Sequence, residues 1–79
     1  MNEEKLRTAF ASSLGLAPEK IVNSLAYQRI KQWDSIAHMA LVAALENEFN
    51  VVFDTDQILA LNSVAAAREL LTRHGVVFP

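Results

Sequence analysis

The stretch from Ser35 to Phe49, "SIAHMALVAALENEF", is apolar on almost every side of the helix it can form. At about 100° per residue, His38, Leu41, Val42, Leu45 and Phe49 share one face, the spacing of a core stripe. The opposite face carries Ile36, Ala40, Ala43 and Asn47, with Met39 and Glu46 on one flank and Ala44 on the other. A chain of 79 residues makes one domain at most, spanning 1–79, and its core is thin. So small a bundle cannot bury both faces. The second face is therefore predicted to expose Ile36 and Met39 beside small alanines and acids, the pattern of a protein contact. Helix propensity alone accounts for Ala40, Ala43 and Ala44 on a surface. It does not account for Ile36 and Met39.

The remaining elements are short and all helical. A first helix is predicted from about Glu3 to Leu14, capped by Asn2, with Leu6, Ala9, Phe10 and Leu14 at core spacing. Gly15 stops it and Pro18 blocks its continuation, although Pro18-Glu19 can open a single turn. Residues 15–34 lack clean periodicity, but Ile21, Leu25, Tyr27, Ile30 and Trp33 are spaced to pin a long crossover against a bundle. A third helix is predicted from about Asp56 to Leu61, with a capping box from Asp54 and Gln57, or a cap from Thr55. A fourth is predicted from Val64 to about His74, capped by Ser63 and ended by Gly75, with a stripe of Val64, Ala67, Leu70 and Leu71. The prediction is an all-α four-helix bundle with a long loop between helices 1 and 2 and a short third helix.

Several function classes fall away. Without cysteine there is no disulfide and no thiol site on the chain itself. Two histidines, His38 and His74, are too few and too far apart for a zinc site. The longest wholly apolar run, "MALVAAL", is far short of a membrane span. The charged opening "MNEEKLR" argues against a signal peptide, so a cytoplasmic, monomeric protein with no membrane partner is expected. Charge is unevenly placed. Residues 34–67 hold five acids (Asp34, Glu46, Glu48, Asp54, Asp56) and no Lys or Arg. Nucleic acid is an unsuitable partner for such a stretch, because phosphate neutralisation needs clustered bases. A basic protein surface suits it, and so does a plain solvated face.

Asp34-Ser35 opens the long helix. Either residue type caps helices well, and the absence of Glu or Gln three residues on makes the cap a plain one. A serine hydroxyl at a helix N-terminus is also well placed to carry a phosphate group, because free N–H groups and the helix dipole favour one there. His38, three residues later, is read as a histidine at the bundle mouth that packs or hydrogen-bonds. A Ser35/His38 hydrolase is the remoter reading, because no Asp is placed to orient the imidazole.

The segment "WDSIAHMALVAALENEF" resembles the recognition segment of acyl carrier proteins, in which an Asp-Ser-Leu motif opens the second helix. The similarity extends over nearly the whole chain and is most specific over residues 33–53. It implies an acyl-carrier-type bundle. It implies that Ser35 bears a 4′-phosphopantetheine arm, transferred from coenzyme A by a Mg²⁺-dependent phosphopantetheinyl transferase, with Asp34 helping to position the metal. The arm's thiol would hold an acyl group as a thioester. The bundle could take the acyl chain between its helices. The domain would be no enzyme but a tethered substrate, docking through Ile36, Met39, Ala40, Ala43, Glu46 and Asn47 onto an acyl- or aminoacyl-activating ligase, a synthase or a transferase. Ile36 stands in place of the usual Leu, and Ala37 and Ala40 stand where members serving fatty acid biosynthesis often have acids. That points to a specialised lipid, polyketide or secondary-metabolite pathway. Aminoacyl, peptidyl and D-alanyl carriers share the fold and the arm, but "KQWDS" lacks the Gly-rich approach common in peptidyl carriers. A small helical interaction module without a prosthetic group is an alternative, and a helix-turn-helix DNA binder is a weaker one, because the best candidate recognition helix is acidic and apolar.

Overall fold

A computed structural model describes residues 1–78. Helix α1 spans Asn2–Leu14, a 3-10 turn spans Pro18–Lys20, α2 spans Ser35–Phe49, α3 Thr55–Ala60 and α4 Val64–Arg73. The expected four-helix, all-α bundle with its long loop is what the chain forms. Its core is one apolar cluster that draws Leu6, Phe10 and Leu14 from α1, Leu41, Val42 and Leu45 from α2, and Val64, Ala67, Leu70 and Leu71 from α4.

Two details of the helix ends differ from expectation. Asn2 does not cap α1. It is the first helical residue, and its side-chain amide donates to the Val77 carbonyl at 2.8 Å. The side chain thus serves as a donor that ties down the C-terminal tail rather than as the acceptor a cap requires. Thr55 is not a cap either. Asp54 accepts from the Gln57 N–H at 2.8 Å while Gln57 accepts from the Asp54 N–H at 3.1 Å, so the capping box forms and α3 starts and ends one residue earlier than predicted. The other ends follow the sequence. Gly15 adopts φ 65°, a left-handed turn that costs glycine little, and closes α1 through the Ala11 carbonyl. Asn50 does the same for α2 at φ 54°, and Ser63 caps α4 by accepting from the Ala66 N–H at 2.9 Å.

The crossover from Gly15 to Asp34 is packed. Ile21 and Trp33 are buried, and Leu25, Tyr27 and Ile30 are half-buried against the core. Backbone bonds stitch it to the start of α4: Tyr27 N–H donates to the Asn62 carbonyl at 2.9 Å and Val64 N–H to the Leu25 carbonyl at 3.0 Å. Gln28 holds φ 63° and donates to the Trp33 carbonyl at 3.1 Å, which closes the turn that brings Trp33 inward. On the far side, Arg68 of α4 pairs with Glu3 of α1, bonds Asn23 of the crossover and lies 5.8 Å over the Phe78 ring.

The two faces of α2 are as unequal as the wheel requires. Leu41 and Leu45 are fully buried, whereas Ile36 is 82% and Met39 56% exposed. Leu45→Ala should therefore destabilise the protein by about 2–5 kcal/mol. Met39→Ala should stay within about 0.5 kcal/mol of the wild type. Chemical denaturation checks both, and comparable losses would mean that the burial is misassigned.

Candidate functional site

The site is the first turn of α2. Asp34 is the N-cap, and one of its carboxylate oxygens accepts from the Ala37 N–H at 2.8 Å while its carbonyl accepts from the His38 N–H at 2.8 Å. Ala37 rather than Glu or Gln stands at the third position, so the cap is one-sided. Ser35 is the first helical residue and is exposed. Its hydroxyl, and the N–H groups of Ser35 and Ile36, bond no group among the described residues. A free hydroxyl beside two unpaired amides at the positive end of a helix fits a phosphodiester on Ser35 Oγ. The second carboxylate oxygen of Asp34 is likewise unpaired among the described residues and can face a cation.

His38 does not serve Ser35. Its Nδ1 accepts from the Trp33 indole N–H at 3.0 Å. In the neutral ring that leaves the proton on Nε2, which donates to the Ile58 carbonyl of α3 at 3.0 Å. Both nitrogens are engaged, so neither is free as a general base for the serine. The expectation that His38 packs and hydrogen-bonds at the bundle mouth holds. The ring stacks on Trp33 and lies 5.0 Å from Tyr27, and so joins the crossover, α2 and α3 at one point. Among the described residues no cluster of His, Cys, Asp or Glu is suited to a metal.

The outward face of α2 exposes Ile36, Met39, Ala40, Ala43 and Asn47. Glu46 is different. It is half-buried, and its Oε2 accepts from the Phe53 N–H at 2.8 Å, which pins the segment after α2. Sequence reasoning placed Glu46 beside the docking face but missed this bond, because no local motif signals a carboxylate reaching seven residues ahead. Leu59 and Val52, 73% and 79% exposed, are apolar surface that the sequence reading did not single out. No helix among the described residues is long and apolar enough to cross a membrane. The family model of the phosphopantetheine attachment site matches residues 4–71 of the chain.

Proposed function

Because the chain belongs to the family of phosphopantetheine-attachment domains, which carry covalently attached 4′-phosphopantetheine, we propose that Ser35 is the attachment residue and that the protein is an acyl carrier of a specialised lipid, polyketide or secondary-metabolite pathway in the cytoplasm. The observation that carries the assignment of Ser35 is its exposed, unbonded hydroxyl beside two unpaired N–H groups at the head of α2. When bound, the arm supplies a thiol that holds an acyl group as a thioester. The residues of the chain do the rest. Ser35 Oγ would attack the phosphorus of coenzyme A that bears the pantetheine, losing its proton to a base of the transferase, as the pyrophosphate bond breaks and adenosine 3′,5′-bisphosphate leaves. Asp34 fixes the helix start with one oxygen and offers the other to the Mg²⁺ that the transferase brings. His38, with both nitrogens engaged, leaves the serine without a base of its own, which suits a tether that a separate enzyme must load. Intact mass after incubation with coenzyme A and a broad-specificity transferase tests the reading. Absence of any gain would leave a helical interaction module in its place.

Docking is proposed on the outward face of α2, through Ile36, Met39, Ala40, Ala43, Asn47 and the exposed side of Glu46. Ala37 and Ala40, standing where related carriers often have acids, favour a docking face in which the apolar term exceeds the charged one. Glu48 is the cleaner charge probe, because it is exposed, whereas reversing Glu46 also breaks its bond to Phe53. Glu48→Lys should slow association with the transferase, and added salt should shrink the difference. Ile36→Ala or Met39→Ala should speed dissociation with little salt dependence. Binding kinetics in which neither apolar change matters would move the docking surface to the loop before Ser35.

A further inference from the structure

His38 lies about one helical turn beyond Ser35 and bolts α2 to α3. Its Nε2 donates to the Ile58 carbonyl at 3.0 Å, and its Nδ1 accepts from Trp33 at 3.0 Å. Ile58 belongs to the last turn of a six-residue helix, and its carbonyl accepts only a long bond, 3.4 Å, from the Leu61 N–H that closes the helix, so the imidazole supplies the shorter of its two bonds. Behind this bridge Trp33 is fully buried, edge-on to Phe10 at 5.4 Å and to Tyr27 at 6.2 Å, and it shares one packed cluster with Leu41 and Leu61.

We propose that His38 and Trp33 are specificity-determining residues that shut the seam between α2 and α3, so that cargo on the arm stays in solvent and the protein carries short or polar acyl groups without sheltering them. The proposal rests on Ser35 as the attachment point. A chain entering the bundle beside Ser35 has to part His38 from Ile58, which leaves the imidazole N–H without its acceptor and the carbonyl with only its long bond from Leu61. A stranded polar group weighs against entry by about 5- to 150-fold. Each methylene leaving water favours entry by only about four-fold. A short acyl group with one carbon to bury gains about four-fold, less than that loss. A longer one must also displace Trp33, Leu41 or Leu61, all with no exposed surface. The depression lined by Ala60, Ala66, Glu69, Leu70 and Arg73 takes no residue from α2 or from the crossover, so it offers no path from Ser35.

The test compares wild type, His38→Ala and His38→Gln, each loaded from acetyl- or octanoyl-coenzyme A by a broad-specificity transferase with Mg²⁺. Intact mass first reads the arm. Hydroxylamine cleavage then times the exposure of the thioester, and methyl NMR follows Leu41 and Leu61. In the wild type and in His38→Gln, which keeps a donor and an acceptor, octanoyl should be cleaved within about two-fold of acetyl, with the leucine methyl signals unmoved. In His38→Ala, octanoyl should be protected about ten-fold, and the methyl signals should shift. Where His38→Ala does not fold, Trp33→Phe decides in its place. It removes the indole N–H but keeps a ring, and should give protection of the same sign. Octanoyl already protected in the wild type overturns the proposal and leaves the carrier assignment standing. So does an opened variant that behaves as the wild type. An arm that fails to load on Ser35 overturns the assignment itself, and the proposal with it.

Discussion

Ser35→Ala is expected to gain no mass when incubated with coenzyme A, Mg²⁺ and a phosphopantetheinyl transferase that adds one arm to the wild type. The loss should be complete, because the side chain removed is the nucleophile. It should not reflect unfolding. Ser35 is exposed, its hydroxyl bonds nothing among the described residues, and the helix is capped by Asp34. Stability should therefore change by no more than about 0.5 kcal/mol. Other hydroxyls are poor substitutes: that of Ser63 is held by the Ala66 N–H and that of Thr72 by the Arg68 carbonyl. Asp34→Asn separates the two duties of its neighbour. The amide oxygen still caps α2, so the fold should hold, while the lost charge should slow loading. A mass gain that survives in Ser35→Ala would sink the assignment.

Trp33→Ala is expected to cost about 3–5 kcal/mol, the range for removing a large aromatic side chain from a packed core. In a domain of this size that lowers the melting temperature by on the order of 20 °C. The loss is large because Trp33 has no exposed surface and meets α1 through Phe10, the crossover through Tyr27 and α2 through His38. Trp33→Phe keeps most of the ring contacts but leaves His38 Nδ1 without its donor, and should cost about 1–3 kcal/mol. Thermal unfolding followed by circular dichroism orders the two. Should Trp33→Ala melt within a few degrees of the wild type, the crossover is not the pin it is taken to be.

The helices were legible where periodicity and caps agree. The stripes of α1, α2 and α4 were each carried by apolar residues three and four apart, and Gly15, Asp54 with Gln57, and Ser63 marked ends by their own chemistry. The crossover was legible only as a set of anchors. Its path depends on Gln28 adopting φ 63°, which a glutamine does not advertise, and on backbone bonds to residues more than thirty positions away. The same holds for Asn2. Its residue type suggests a cap, but the partner its side-chain amide finds, the Val77 carbonyl, is 75 positions distant. At the site, the exposed serine and its capping aspartate were readable from two letters in context. The engagement of His38 was not, because Trp33 lies before the helix and Ile58 lies in another one.

Helix α3, with its six residues, stands in a different relation to the protein than its neighbours do. Starting a helix fixes several residues before any bond repays them, so a segment this short is unfavourable alone. Its population is thus borrowed from its surroundings: the Asp54–Gln57 box at one end, the His38 bridge at the other, and Leu61 sunk in the core. Each of the three uses a residue outside the helix itself, and the bridge depends in turn on Trp33. The equilibrium of α3 is therefore linked to that of the crossover, although the two are separated in the chain by the whole of α2. Whatever loosens one raises the open population of the other, and the smallest helix of the bundle acts as the gauge of its least regular segment.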